Sequence, residues 1–229
     1  MSSQTAIRAV DVVKEYEGGL VKALRGVSFD VAQGEFMAIM GPSGSGKTTL
    51  LHLIGALDLP TSGRVEILGQ DLRDVKDVDT LRNETLGFVF QLHYLIPNLP
   101  LWENVALPTH PHGLSRRERR KKACGLLERV GLEHRVDFQP VKCSGGERQR
   151  AAVARALIND PKIVLADEPT GSVDTATGHK ILELFQGLLK ERDTTLVLIT
   201  HNEDVGERAD RLVRIVDGTL SEDSAVRRP

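Results

Sequence analysis

The chain of 229 residues carries 30 Lys and Arg against 32 Asp and Glu, a formal net charge of −2, and 40% hydrophobic residues. This length and apolar content predict a soluble globular protein with one large domain, and the balanced charge argues against a general nucleic-acid-binding surface. No run of residues approaches the roughly 18 apolar residues of a membrane span, and the first residues lack the apolar core of a signal peptide, so we expect any membrane crossing to belong to another chain.

The first part of the chain predicts antiparallel strands. Apolar residues between Ile7 and Val13 indicate an opening strand, and Val27–Val31 alternates apolar and polar residues like a half-buried antiparallel strand. Tyr16 lies between them. Two interpretations stay open for this residue: its ring stacks on an adenine, or it packs on the sheet as a loop tyrosine.

A glycine loop follows the next apolar run. The stretch from Gly41 to Thr49 fits G-x-x-x-x-G-K-[ST] between apolar segments, which predicts a strand, a phosphate-binding P-loop and a helix, rather than a glycine turn without a ligand. Its glycines let the backbone aim N–H groups at phosphate, and the helix start adds a positive dipole end. Lys47 is expected to reach the β- and γ-phosphates and Thr48 to bind Mg²⁺. The predicted nucleotide-binding residues of this loop are Gly41, Pro42, Ser43, Gly44, Ser45, Gly46, Lys47, Thr48 and Thr49.

Leu86–Phe90 is another short apolar strand, and it ends at Gln91. α/β sheets bind ligands at the carboxyl ends of their strands, so Gln91 could reach Mg²⁺ or an attacking water. The alternative is a glutamine that simply ends a strand.

From Leu92 to about Ile158 the alternation of strands and helices stops, which predicts a mainly helical insert. Ser115 and Glu118 form a capping box that begins an amphipathic helix ending near Val130. The basic run Arg116–Lys122 is interpreted as a solvated helix face, because no aromatic residues interleave with its charges.

The segment Cys143–Glu147 allows two interpretations. Ser144 and Glu147 can form a second capping box. However, the two glycines between them cost about 1 kcal/mol each in helix propensity and leave unobstructed N–H groups, which favours a second anion site. Cys124 and Cys143 have neither metal-ligand spacing nor a disulfide framework, which indicates a reducing compartment.

A buried strand, Lys162–Ala166, ends in Asp167 and Glu168. Beside a P-loop these acids have different expected tasks. Asp167 would hold Mg²⁺ through water or Thr48, and Glu168 would polarise the water that attacks the γ-phosphate.

The last third of the chain returns to strands and helices. A helix is predicted over 178–190, and the buried strand Thr195–Ile199 precedes His201, which could hydrogen-bond the γ-phosphate or be structural. Asp217 and the following glycine predict a hairpin turn after another strand. The polar chain after Ser221 is expected to fray.

In this order, the motifs resemble the nucleotide-binding subunit of an ATP-binding-cassette (ABC) transporter over roughly residues 7 to 219. A P-loop kinase of a small molecule is the alternative from another class, and it leaves Cys143–Glu147 without a role. The resemblance equates the aromatic A-loop with Tyr16, Walker A with Gly41 to Thr48, the Q-loop with Gln91, the signature motif with Cys143 to Glu147, Walker B and the catalytic glutamate with Ile163 to Glu168, the D-loop with Gly171 to Asp174, and the switch histidine with His201.

Two motifs depart from the usual family pattern. Cys143 and Glu147 stand where the signature usually has leucine and glutamine, and Ser172 and Val173 replace asparagine and leucine in the D-loop. The serine and glycines that would contact phosphate are intact, so ATPase activity is expected. Cys143 is expected to alter the kinetics that depend on dimerisation, and Ser172 and Val173 the details of the contact between subunits.

Sequence segments outside the catalytic residues are similar to those of the MacB/LolD-type branch. It includes Gly87–Gln91, Glu103–Val105 and Glu168–Gly171. The resemblance implies an α/β fold: a P-loop NTPase core with a mixed parallel sheet, an N-terminal antiparallel β subdomain and an inserted α-helical subdomain. A single domain of residues 1–229 is expected, with the core at about 1–91 and 159–220, the helical subdomain at 92–158 and a tail at 221–229.

The resemblance also implies Mg²⁺-ATP hydrolysis in a head-to-tail homodimer that sandwiches two ATP molecules and drives an integral membrane permease. Lipoprotein release or macrolide or peptide export is the expected process, and a non-transport ABC ATPase acting in cell division or the envelope is the alternative. We expect the chain at the cytoplasmic face of the inner membrane without inserting into it, with no nucleic acid bound, and with Leu92 to Leu101 forming the groove for the permease. The implied catalytic residues are Glu168, His201, Gln91 and Lys47; nucleotide contacts beyond the P-loop are Tyr16, Gln91, Ser144, Gly145, Gly146, Glu147 and Asp174; the metal residues are Thr48, Gln91 and Asp167.

Overall fold

A computed structural model describes residues 4–226, and in that range it contains two sheets. The four-stranded sheet has the order β2-β1-β4-β5, and its neighbouring strands are antiparallel. Its strands are β1 (Thr5–Tyr16), β2 (Val21–Ala32), β4 (Ser62–Ile67) and β5 (Gln70–Asp71).

The six-stranded sheet has the order β10-β9-β3-β8-β7-β6. Neighbouring strands are parallel except at the β9-β10 hairpin. Its strands are β3 (Phe36–Met40), β6 (Leu86–Phe90), β7 (Ile163–Asp167), β8 (Thr195–Ile199), β9 (Arg211–Val216) and β10 (Thr219–Ala225).

The helices fall into two groups along the chain. Those near the sheets are α1 (Lys47–Ile54), α2 (Val78–Thr85), α6 (Thr175–Lys190) and α7 (Glu203–Gly206). Those of the insert are α3 (Leu101–Ala106), α4 (Arg116–Arg129) and α5 (Gly145–Ala156), with short 3-10 turns at Leu107–His112, Glu133–Arg135 and Pro140–Lys142.

Two hydrophobic clusters cover opposite faces of the six-stranded sheet. Ile163 and Leu165 of β7 pack with α1 and the four-stranded sheet, whereas Val164 and Ala166 pack with α3, α4, α5 and α6. All five residues of β8 are buried. Strands covered on both faces read as continuous apolar runs, which is why the sequence showed no alternation there. The helical insert therefore shares its core with one face of the sheet.

Several predicted local features are present. Val27, Phe29 and Val31 of β2 are buried while the residues between them are exposed. The capping box of Ser115 and Glu118 begins α4. Asp217, with a positive φ, and the following glycine connect β9 and β10.

The predicted start of the last long helix, at residue 178, is wrong by three residues. Asp174 accepts a hydrogen bond from the backbone N–H of Thr177 at 3.0 Å and so caps α6, which begins at Thr175. A capping aspartate allows a helix to begin before the first apolar residue of its repeating pattern.

The prediction that the chain frays after Ser221 is wrong for residues 221–225, which belong to β10. Arg211 of β9 donates two hydrogen bonds to the carboxylate of Asp223, at 2.5 and 2.6 Å. Backbone pairing and ion pairs hold this edge strand, so its polar sequence carries no alternating apolar signal. Residues 227–229 of the predicted tail lie outside the described residues.

Two arginines of the basic run at the start of α4 pack on an aromatic residue of α3. Trp102 of α3 is 3% exposed, and the guanidinium carbons of Arg116 and Arg120 lie 5.4 and 5.2 Å from its ring centroid. Arg116 also pairs with Glu103, and Arg120 pairs with Asp137. Both arginines are exposed while they cover Trp102, which is consistent with the interpretation of this run as a solvated helix face.

Candidate functional site

The predicted catalytic residues share one edge of the six-stranded sheet. Strands β3, β8, β7 and β6 are parallel neighbours, so their carboxyl ends lie side by side. Asp167 pairs with Phe90 on one side and with Ile199 on the other. Gln91 therefore follows the strand next to Asp167, and His201 follows the strand on its other side.

The backbone path of the P-loop requires glycine at two positions. Gly41 has a φ of +148°, and a Cβ there would lie 2.0 Å from the carbonyl oxygen of Ile215. Gly46 has a φ of +101°, and a Cβ there would lie 2.4 Å from the carbonyl oxygen of Ala23. The loop is thus pressed between β9 and β2, and only glycine fits both positions.

Lys47 and Ser45 have the properties of phosphate ligands. The Lys47 ammonium donates hydrogen bonds to the carbonyl oxygens of Gly41 at 2.9 Å and Pro42 at 2.7 Å. Burial lowers the pKa of Lys47, while Glu168 and Asp167 act in the opposite direction. The hydroxyl of Ser45 is buried and has no hydrogen-bond partner. A curled loop with a desolvated ammonium and an orphaned hydroxyl fits a phosphate group.

Thr48 and Asp167 meet at the mouth of the loop. The Thr48 hydroxyl donates to a carboxylate oxygen of Asp167 at 3.2 Å. Burial raises the pKa of Asp167, and the Thr48 hydrogen bond partly offsets that effect. Hydroxyl and carboxylate oxygens are the donors that Mg²⁺ takes, so these residues fit the metal.

Glu168 and His201 form a hydrogen-bonded pair. Nδ1 of His201 lies 2.6 Å from Oε1 of Glu168. Glu168 has a φ of +46°, which is uncommon for a residue other than glycine, and its backbone N–H donates to the carbonyl of Ile199 at 3.0 Å. Such backbone strain is concentrated at functional sites.

Gln91 and Asp174 lie beside this pair without contacting the P-loop residues through any described hydrogen bond. Gln91 is exposed, and its Nε2 would lie 2.9 Å from a Cβ at Gly171. Asp174 uses its carboxylate to cap α6, and its hydrogen bonds with Thr177 lower its pKa.

Tyr16 lies at the end of a hairpin that contacts the P-loop. It pairs with Val21, two residues before the Ala23 carbonyl that faces Gly46. Its ring is 37% exposed, and the Lys14 ammonium lies 5.0 Å from its centroid. Its hydroxyl donates to Asp58 at 3.3 Å. The structure therefore places an exposed aromatic residue on the hairpin whose second strand contacts the P-loop.

The signature segment lies elsewhere. Ser144 and Glu147 form the predicted capping box, and Arg135 donates to Glu147 at 3.0 Å. Within residues 4–226, no hydrogen bond or ion pair joins Ser144–Glu147 to the P-loop. Gly145 and Gly146 instead pack against the D-loop and α6, since a Cβ at each would lie 3.4 Å from the Ser172 carbonyl and 2.8 Å from a Thr177 methyl.

Two polar residues near the site, His93, which is buried, and Arg155, which is half-buried, have no role in the sequence-based prediction. His93 is 7% exposed and lies within hydrogen-bond distance of Ser172. Arg155 of α5 donates to the backbone carbonyls of His93 and Tyr94. No pattern marks either residue, because their partners are distant in the sequence.

The chain is similar to proteins of one family. The sequence profile of the family described as ABC transporter matches residues 24–171. An ABC transporter ATP-binding protein of Thermotoga maritima, itself uncharacterized, is 51% identical over 92% of this chain and 92% of its own length. The lipoprotein-releasing system ATP-binding protein LolD of Legionella pneumophila is 44% identical over 90% of this chain and 93% of its own length.

A longer relative and a solved structure extend the comparison. The macrolide export ATP-binding/permease protein MacB of Brucella melitensis is 43% identical over 99% of this chain, which spans 36% of the length of MacB. The dimeric post-hydrolysis structure of the ATP-binding cassette MJ0796 bound to ADP and Pi has a TM-score of 0.89 and 40% identity, and it covers 97% of this chain and 100% of its own.

These findings confirm the predicted fold class, that of an ABC cassette, and the prediction of an ATP-binding ATPase subunit of an ABC transporter. The chain belongs to the ABC transporter family, in the branch that includes MacB and LolD.

Proposed function

We propose that the chain hydrolyses Mg²⁺-ATP in a head-to-tail homodimer and thereby drives a separate integral membrane permease. One observation carries this proposal: the paired Glu168 and His201 lie on the same sheet edge as Thr48, Asp167 and the P-loop. A phosphate cradle, a metal-binding pair and a candidate base are thus adjacent, which is the set of groups that phosphoryl transfer to water requires.

The separation of the signature segment from the P-loop supports the dimer. Each chain has two glycine-bearing helix starts, at α1 and α5, and they do not meet within one chain. MJ0796, of the same fold, is dimeric in its ADP- and Pi-bound state. In the proposed dimer, the phosphate bound by one P-loop is completed by Ser144, Gly145 and Gly146 of the other subunit, whose helix N-terminus favours negative charge.

The roles of the catalytic side chains follow from their contacts. The Glu168 carboxylate accepts the proton of the attacking water, and the His201 imidazole at 2.6 Å fixes the carboxylate's direction. Lys47 and the loop N–H groups bind the phosphates. Mg²⁺, held by Thr48 and Asp167 with Gln91 beside them, would neutralise charge on the transferred phosphoryl group.

A groove beside the insert is the proposed site for a helix of the permease. It has a volume of about 430 Å³ and includes Phe88, Phe90 and Tyr94 in its lining. Of the predicted segment Leu92 to Leu101, the described lining includes Tyr94 alone. Tyr94 is exposed and packs edge-on against Phe90. An amphipathic helix would bury this apolar surface. Within residues 4–226, no helix has the length and apolar character to cross a membrane.

The relatives support a transport process. LolD belongs to a lipoprotein-releasing system, and MacB is a macrolide export protein. We infer lipoprotein release or macrolide or peptide export for this chain, at the cytoplasmic face of the inner membrane. A non-transport ABC ATPase that regulates a membrane partner would use the same site, and the identity of the partner distinguishes the two.

Glu168→Gln tests the catalytic assignment. The substitution keeps the side-chain shape and removes the base, so turnover should be lost while ATP still binds and the dimer accumulates. Phosphate release and sedimentation with ATP measure both effects. Glu207→Gln, an exposed glutamate, is the matched control and should match the unchanged protein. Full hydrolysis by Glu168→Gln would sink the assignment of Glu168 as the base.

Affinity purification of Glu168→Gln from detergent-solubilised cells with ATP tests the partner. An integral membrane protein should co-purify with this variant. Adding Tyr94→Glu should abolish recovery of the membrane protein while the dimer persists. Recovery of soluble proteins alone would remove the permease from the proposal and leave the ATPase in place.

A further inference from the structure

His93 lies where three functional segments meet. It follows Gln91 by two residues, it has a φ of +63°, and its side chain is almost fully buried. Nε2 of its imidazole lies 3.2 Å from the hydroxyl oxygen of Ser172 in the D-loop. A buried imidazole on a turn with strained backbone needs surrounding contacts to hold it.

His93 lies on the turn formed by residues 91–94. The backbone of this turn is held by α5, the helix that carries the signature segment. The Arg155 guanidinium of α5 donates to the carbonyl of His93 and to the carbonyl of Tyr94, both at 2.6 Å. Charge-assisted hydrogen bonds of this length are strong. Arg155 is half-buried, and this burial lowers its pKa. The turn therefore follows α5 when α5 moves.

The D-loop packs on the same helix. A Cβ at Gly145, the first residue of α5, would lie 3.4 Å from the carbonyl oxygen of Ser172. On its other side the D-loop contacts the Q-loop, since a Cβ at Gly171 would lie 2.9 Å from Nε2 of Gln91. The His93 side chain therefore contacts the D-loop at Ser172, and Ser172 in turn contacts the start of α5.

Tyr94 extends this connection to the surface. It is the residue after His93, its backbone shares the Arg155 contact, and its ring lines the proposed permease groove. A displacement of the turn by a partner in the groove would act directly on the imidazole and on Ser172.

We propose that His93 is a positioning residue for ATP hydrolysis, which holds Ser172 of the D-loop against the start of α5 so that groove, signature segment and D-loop move as one unit. The imidazole contacts no reacting atom; it acts through Ser172. This inference rests on the proposed function, in which the D-loop and the signature segment face the other subunit.

The test compares two substitutions in the full-length chain. His93→Leu fills the space without a hydrogen bond, and His93→Gln retains a donor and an acceptor near the position of Nε2. Amide hydrogen exchange at residues 171–174 should accelerate about threefold to tenfold in His93→Leu, the effect of one lost hydrogen bond, and should recover in His93→Gln. His112→Leu is the matched control, because His112 is exposed and contacts Asn83 at 2.7 Å instead.

Steady-state ATP hydrolysis gives the second readout. His93→Leu should lower kcat by about threefold or more with an unchanged KM for ATP, since the P-loop contacts are untouched, and His93→Gln should restore kcat. Ser172→Ala should lower kcat to the same extent, and the double variant should be no worse than either single one. Unchanged exchange at 171–174, additive effects of the two substitutions, or equal losses in the Leu and Gln variants would each overturn the inference. Exchange is measured on the single chain, so failure of the dimer would count against the proposed function alone.

Discussion

Asn104 makes a quantitative test of how the structure holds the loop beside the permease groove. This residue of α3 is fully buried. Its side-chain oxygen accepts from the Ile96 N–H at 2.6 Å, and its amide nitrogen donates to the carbonyls of Ile96 and Leu99 at 3.0 Å and of Pro100 at 3.3 Å. One side chain thus replaces the internal hydrogen bonds that an irregular loop lacks.

Asn104→Ala removes all of these contacts. Taking about 1 kcal/mol for each of the three bonds of 3.0 Å or less, the free energy of unfolding should fall by about 3 kcal/mol. In a chain of this size that lowers Tm by about 6–12 °C. Because the loop borders the groove, recovery of the permease should fall as well, while nucleotide binding at the P-loop should be retained.

Urea unfolding at pH 7 measures the effect, with Asn98→Ala as the control. Asn98 lies exposed on the same loop, and its substitution should change stability by no more than about 0.5 kcal/mol. Asn104→Asp sharpens the test, because a carboxylate keeps the acceptor but faces three carbonyl oxygens, so it should destabilise at least as much as alanine. A loss below about 1 kcal/mol for alanine, or a tolerated aspartate, would refute the reasoning.

Two further predictions concern the P-loop and the start of α5. Gly41→Ala should lower the free energy of unfolding by at least about 3 kcal/mol and abolish ATP binding, because its Cβ would overlap the Ile215 carbonyl. Gly44→Ala has a positive φ but open space around its Cβ, so it should lower that free energy by only about 1 kcal/mol in urea unfolding. Equal losses for the two variants would contradict the packing argument. The hydrogen bond from the Ser144 backbone lowers the pKa of Glu147, with burial acting against it and Arg135 adding to it. A depressed carboxyl pKa stabilises the folded state above the unfolded pKa of about 4.3 and ceases to do so as pH falls through the folded value, so the stability deficit of Glu147→Gln should be largest near pH 7 and shrink below about pH 4. A deficit that stays constant from pH 7 to pH 3 would show that the charge is not responsible.

The extent of the insert and the roles of individual site residues remain predictions, but their local structure could be anticipated for identifiable reasons. Ser115 and Ser144 with their glutamates determine helix starts within four residues of chain, and the glycines of the P-loop fix a backbone path that few other residues can follow. Asp167 ends an apolar run. Interactions of this kind depend on neighbouring residues, so the sequence alone reveals them.

The partners of those residues depend on tertiary structure. The Thr48 hydroxyl and Asp167 are 119 positions apart, and His93 and Ser172 are 79 apart. Only the strand order of the parallel sheet and the packing of α5 bring these pairs together. Likewise β10 is an ordered strand because Arg211 reaches Asp223, not because its own residues favour a strand.

The amino-acid sequence by itself therefore determined the kinds of groups that this site contains and several of the helix caps and turns beside them. The tertiary structure decided which groups meet, that the signature segment stays apart from the P-loop of its own chain, and that a buried histidine contacts the D-loop. The physical reason is range: turn, cap and periodicity signals act over a few residues, whereas the contacts that complete the site are paid for by packing of the whole core.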